Sequence, residues 1–194
     1  MANGLGVEFE RLRRSWRNLR PQRDAGELDT LTALRICCDE MGISPDRERL
    51  EGICGEVAAF FRGLLTPRDG ALATLRQLRE RELRTGLLSD SNSEVALAWR
   101  TSSLAPLVDV AVFSCLEHVR KPDPTLYQAV CDRLEVTPAA CLYVGNGDGE
   151  ELSGAMRVGM HPLLYTAPGE LPGSEAASWR GPRVERLADV ADFV

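Results

Sequence analysis

Hydrophobic spacing changes once along this chain, near Thr66-Pro67, and that change limits the folds open to it. Before it, apolar residues recur only at helical intervals. Phe9, Leu12, Trp16 and Leu19 share one face with arginines between them. Asp29 to Met41 repeats the pattern through Leu31, Leu34, Ile36 and Cys38, and Gly42 supplies a stop. Ser44-Pro45-Asp46 opens a third helix, with Ser44 as N-cap and Pro45 in the first turn, carrying Leu50, Ile53, Val57, Phe60 and Phe61. Nothing in residues 7–66 alternates as a strand would.

After the change, short apolar runs alternate with helical stretches. Gly70 to Glu80 reads as a helix and Thr85 to Leu88 as a buried strand. Asn92 or Ser93 caps a helix through Val95, Leu97 and Trp99. Strands over Val110 to Phe113, Cys141 to Val144 and His161 to Tyr165 are separated by helices over Thr125 to Leu134 and Leu152 to Val158. That alternation predicts a parallel sheet with right-handed crossovers, an α/β core over 67–194 beside an all-helical domain over 1–66. Residues 168–182, rich in Gly, Pro and Ser, read as an irregular surface segment, and 187–194 as a short closing helix.

The 194 residues suffice to bury a core, and a net charge of −6 gives no reason to expect nucleic acid. No apolar run approaches the roughly 20 residues needed to span a bilayer. The first residues lack the charged and apolar regions of a signal peptide, so a cytoplasmic location without a membrane partner is expected. The six cysteines show no Cys-x-x-Cys spacing and read as buried free thiols.

Three loops carry candidate chemistry. Leu88-Ser89-Asp90-Ser91-Asn92 places a hydroxyl and following amides between a strand end and a helix start, suited to a phosphate oxygen or simply to capping. Arg120-Lys121-Pro122-Asp123-Pro124 holds a lysine on a stiff segment, where it would neutralise a transferring phosphoryl group or mark a surface turn. Gly145-Asn146-Gly147-Asp148-Gly149-Glu150-Glu151 follows a strand with a tight, acid-rich turn, the kind of edge where α/β sheets bind ligands and carboxylates hold Mg²⁺. Arg13, Arg14, Trp16, Arg20 and Arg23 read as surface and packing residues, and His161 as structural. His118 lies three residues before Lys121 and takes no assigned role.

In order and spacing these loops resemble the haloacid dehalogenase superfamily from about Leu65 to Tyr165. Ser89 falls on its second motif, Lys121 in Lys-Pro-Asp-Pro on its third, and Gly145 to Glu151, with Gly154-Ala155 and Gly159-Met160, on its fourth. The resemblance implies a Rossmann-like core with an α-helical cap over 1–66. It also implies Ser89 and Lys121 as catalytic residues, Ser89, Asp90, Ser91 and Lys121 around phosphate, and Asn146 and Glu150 around Mg²⁺. In the family an aspartate ending the first strand is the nucleophile, and a second aspartate two residues later is the acid and base.

The chain departs from that pattern twice. No Asp-x-Asp follows an apolar strand, so the first core strand and its nucleophile are missing from the sequence, and the leading acid of the fourth motif is Asn146. Asp148 or Glu151 would have to compensate for the lost charge. Three readings stay open. The leading one is a family member without turnover, a pseudoenzyme. A second is a Mg²⁺-dependent phosphatase or dehalogenase acting on a small phosphorylated or halogenated molecule, whose first strand lies outside this sequence. The third is an interaction module, in which the orphaned sheet edges accept a strand from a partner or from a second copy in a homodimer.

Overall fold

The computed structural model describes residues 1–171 and 173–194. In chain order the elements are α1 (Ala2–Leu5), α2 (Phe9–Asn18), α3 (Arg20–Asp24), α4 (Thr30–Met41), α5 (Arg47–Leu64), α6 (Ala71–Glu80), β1 (Gly86–Ser89), α7 (Ser93–Trp99), β2 (Val110–Phe113), α8 (Ser114–Glu117), α9 (Pro124–Leu134), β3 (Leu142–Gly145), α10 (Glu151–Arg157), β4 (His161–Tyr165) and β5 (Arg183–Val184). They divide into two compact units. The first holds Met1–Thr66, Asp90–Ser102 and Phe113–His118, and the second Pro67–Ser89, Ser103–Val112 and Val119–Val194.

The first unit is helical, and its starts are set by side-chain caps. Glu8 accepts from the amides of Glu10 and Arg11 at 2.9 and 3.2 Å, and Asp29 accepts from Thr32 at 2.7 Å. The cap of α5 is Asp46, which accepts from the Arg49 amide at 2.8 Å, rather than Ser44. The Asp46 backbone is extended, and an N-cap must stand directly before the first helical residue. Leu12, Ala33, Leu34, Cys37, Leu50 and Ile53 form the core. Phe9 and Phe60, expected on the apolar faces, are each 62% exposed. The segments after β1 and β2 join this unit through Ser114. Its hydroxyl accepts from the Ser91 amide at 2.9 Å and donates to the Asp24 carbonyl at 2.5 Å. Asn92 caps α7, accepting from Val95 at 3.2 Å.

In the second unit the strands form two sheets. β1 pairs with β2, and β3, β4 and β5 form a parallel sheet with Leu142 opposite His161 and Leu164 opposite Arg183. One helix serves both pieces. Leu126, Tyr127, Val130, Cys131 and Leu134 of α9 share a core cluster with Leu88, Val110 and Val112 from the first sheet and Tyr143 from the second. Among the described residues no ladder joins β1 to β3. The expected core is therefore present as two pieces on a common helix, separated between the two strands that precede the Ser89 and Gly145 loops.

The closing segment differs from expectation in detail. β5 adds a short strand after the irregular stretch, and Leu187–Phe193 winds as a 3-10 helix. Among the described residues no helix is long and apolar enough to cross a membrane.

Candidate active site

The best-formed polar cluster lies where β3 ends. Strand alternation puts Tyr143 and Gly145 on one face, and α10 begins at Glu151 after the glycine-rich loop. The Glu151 carboxylate gathers three donors. Its Oε2 accepts from Lys121 Nζ at 2.6 Å and from the Tyr143 hydroxyl at 2.8 Å, and its Oε1 accepts from the Gly147 amide at 3.0 Å. Lys121 also donates to the Tyr143 hydroxyl at 3.4 Å. The two charged side chains are only 13% and 6% exposed, so this is a buried ion pair with supporting hydrogen bonds.

Two glycines make room for the cluster. A Cβ on Gly145 would lie 2.7 Å from the Glu151 carboxyl carbon and 2.9 Å from the Tyr143 ring. A Cβ on Gly154 would lie 2.9 Å from Pro122 and collide with the Tyr127 hydroxyl. α10 therefore lies close against α9, and Tyr127, fully buried, donates to the Glu151 carbonyl at 2.9 Å. Lys121 itself is placed by the start of α9, after a cis peptide to Pro122. There Asp123 accepts from the Thr125 amide at 2.8 Å. Hydrogen bonding from the Thr125 side chain, with this amide bond second, holds the Asp123 carboxyl below the usual carboxylate range.

The loop between β3 and α10 is braced from two sides. Within it, Asn146 Oδ1 accepts from the Asp148 amide at 3.2 Å and Asp148 Oδ1 from the Gly149 amide at 3.0 Å. From the C-terminal segment, Gly173 donates to the Asn146 carbonyl at 3.1 Å and the Glu175 amide to the Gly147 carbonyl at 2.8 Å. The Glu175 carboxylate accepts from the amides of Leu152 and Ser153 at 2.8 and 3.1 Å and from the Ser153 hydroxyl, capping the first turn of α10.

The expected site residues are brought together only in part. Lys121 meets Glu151 rather than Glu150. Glu150 stands just outside the helix with a φ of 59° and is exposed, whereas Glu151 is buried. The left-handed backbone at Glu150, just before the first helical residue, separates the two fates. Asn146 is exposed, with its side-chain oxygen committed to the loop. Among the described residues no three His, Cys, Asp or Glu side chains converge as a metal site. Asn146 and Glu150 offer two oxygen donors, and Mg²⁺ in its octahedral geometry would need further oxygens beside them.

Ser89, half-buried, ends β1 in the same unit as Lys121. Asp90 and Ser91 belong to the helical unit, where Ser91 is buried and its amide is held by Ser114. His161 is structural in its contacts, with Nε2 at 3.0 Å from the Ala139 carbonyl, and His118 Nδ1 lies 3.1 Å from the Ala25 carbonyl. Tyr127 and Tyr143 are the residues that sequence reasoning passed over. Period-two spacing from Gly145 points to Tyr143, but nothing local points to Tyr127.

The second unit is an α/β core with a lysine–glutamate cluster at a strand's C-terminal end, and comparison with known proteins specifies the family. The model of the haloacid dehalogenase-like hydrolases matches residues 2–159, and the chain belongs to that family. It is 28% identical to (S)-2-haloacid dehalogenase 4A of Burkholderia cepacia over 67% of this chain and 56% of that one. It is 30% identical to a phosphatase of Mycobacterium tuberculosis over 58% of this chain and 50% of that one. The structure of 2-haloacid dehalogenase from Pseudomonas syringae shares the fold at a TM-score of 0.74 with 20% identity, covering 98% of this chain and 83% of that one. The chain spans about half the length of the curated relatives it matches.

Proposed function

We propose that the 194 residues are a haloacid dehalogenase-like hydrolase fold that performs no turnover alone. The observation that carries this reading is the divided sheet. In the family that the chain resembles, the nucleophilic aspartate ends a central strand, and here β1 and β3 share α9 without a strand laddered between them. The Lys121–Glu151–Tyr143 cluster supplies a positioned cation, but no carboxylate with the nucleophile's place in the motif order accompanies it. The substrate class for a completed site is a small anionic molecule, a phosphate monoester or a 2-haloacid, by analogy with the named relatives.

The test is an assay of the purified chain for phosphate release from a generic phosphate monoester, with and without Mg²⁺, and for halide release from an (S)-2-haloacid. No rate above the blank is expected. Turnover that disappears in Lys121→Met would overturn the reading. The same divided sheet favours a second reading, in which a strand supplied from elsewhere bridges β1 and β3 and restores or replaces function. DNA upstream of Met1 that encodes an apolar strand ending in Asp-x-Asp, together with activity of the longer chain, supports the enzyme version. A concentration-dependent dimer in light scattering supports the partner version.

A further inference from the structure

The seam between α9 and β3 contains two side-chain pairs in register. Tyr127 and Tyr143 pack as a tilted pair with ring centroids 5.6 Å apart. One helical turn further along α9 is Cys131, and two residues earlier on the β3 side is Cys141, with Sγ to Sγ at 3.8 Å. Helix spacing of four and strand spacing of two keep each pair on the facing surfaces, so the thiols form the layer next to the tyrosines. Both cysteines are free, Cys131 fully buried and Cys141 partly exposed. The two sulfurs need approach by less than 2 Å to reach the bond length of about 2.05 Å. The other four cysteines, Cys37, Cys38, Cys54 and Cys115, lie in the helical unit.

We propose that Cys131 and Cys141 are an oxidative modification site, closing to a reversible disulfide on exposure to hydrogen peroxide and locking α9 to the start of β3. Cys141, the sulfur with solvent access, attacks the peroxide. The O–O bond breaks, an S–O bond forms, and the departing hydroxide takes the thiol proton and leaves as water. Cys131 sulfur then attacks Cys141 sulfur, the S–O bond breaks, the S–S bond forms, and the second water leaves. Two thiols are oxidised, one peroxide is reduced to two waters, and no other reactant is required. Desolvation, reinforced by the neighbouring Cys141, pushes the Cys131 thiol above its ordinary range, so Cys131 is not the sulfur that meets the peroxide first. The lock sits beside the tyrosine pair that contacts Glu151, so it stiffens the seam behind the Lys121–Glu151 cluster.

Treatment of the full chain with stoichiometric hydrogen peroxide, thiol blocking and non-reducing peptide mapping tests this. A mass loss of about 2 Da, loss of two titratable thiols, a cross-linked peptide pair holding Cys131 and Cys141, and reversal by dithiothreitol are expected. Cys141→Ser abolishes the cross-link, and Cys131→Ala leaves a sulfenic acid on Cys141 that dimedone traps. A cross-link elsewhere, unchanged thiol count in the wild type, or dimedone labelling of Cys131 in place of Cys141 overturns the proposal. The wild-type mapping decides even where a buried substitution unfolds the chain.

Discussion

Replacing Glu151 with Ala removes the acceptor for three donors at once: the Lys121 ammonium, the Tyr143 hydroxyl and the Gly147 amide. Each hydrogen bond to a charged group is worth roughly 1.5–3 kcal/mol, and breaking one side of a buried ion pair costs about 3–5 kcal/mol. Lys121 keeps some solvent, so the lower end applies, about 3 kcal/mol. Against a domain stability of roughly 5–15 kcal/mol this is a large loss. Glu151→Gln keeps an oxygen for the Gly147 amide and is expected to cost about half as much. Urea unfolding reads the effect. Trp179 is buried in the second unit, so its emission in a Trp16→Phe, Trp99→Phe background reports that unit alone. A double-mutant cycle with Lys121→Met isolates the pair. A cost under about 1 kcal/mol for Glu151→Ala, additive with Lys121→Met, would refute the view that this cluster organises the end of β3.

Other outcomes follow from single contacts. Gly154→Ala drives a methyl into Pro122 and the Tyr127 hydroxyl, and a loss of roughly 1–3 kcal/mol in urea melts is expected. Asp29→Ala removes the cap of α4 and should cost about 1 kcal/mol, with Asp29→Asn largely neutral at pH 7. The bonds from Thr32 hold the Asp29 carboxyl below its ordinary value, so this contribution is present above the carboxylate range and disappears as pH falls through the lowered value; acid melts of the wild type and Asp29→Ala should converge there. Burial pushes the Cys115 thiol from 9.0 up to about 11. The unfolded chain therefore loses this proton first, and stability falls as pH rises from about 9 to about 11, by up to roughly 1.4 kcal/mol per pH unit. Cys115→Ala should make that alkaline limb shallower in thermal melts, with the raised thiols of Cys37, Cys38, Cys54 and Cys131 supplying the remainder.

The periodicity break at Thr66-Pro67 and the alternation after it were readable because they are local. Runs such as Val110 to Phe113 and His161 to Tyr165 carry their own strand signal and fall where expected. Caps were half-readable. Asn92 was anticipated, while Asp46 displaced Ser44 because sequence spacing does not reveal which of three adjacent residues is extended immediately before the helix. The choice between Glu150 and Glu151 hinged on a single residue's positive φ, which no residue pattern announces. The Tyr127 contact depends on how closely α10 approaches α9, a tertiary distance that only Gly154 hints at. The gap between the two sheet pieces was anticipated from a missing motif, but their shared use of α9 was not.

The bonds from Gly173 and Glu175 to the loop after β3 impose an order of events on a chain made from its N-terminus. While residues 146–153 are already outside the ribosome, the carbonyls of Asn146 and Gly147 and the first amides of α10 still lack these partners. The loop acquires its final shape only when the C-terminal segment emerges, so the corner of the protein that faces the ion pair is among the last parts to set. A released chain that ends before residue 173 would lack these bonds, visible as faster proteolysis at residues 146–150 than in the full chain.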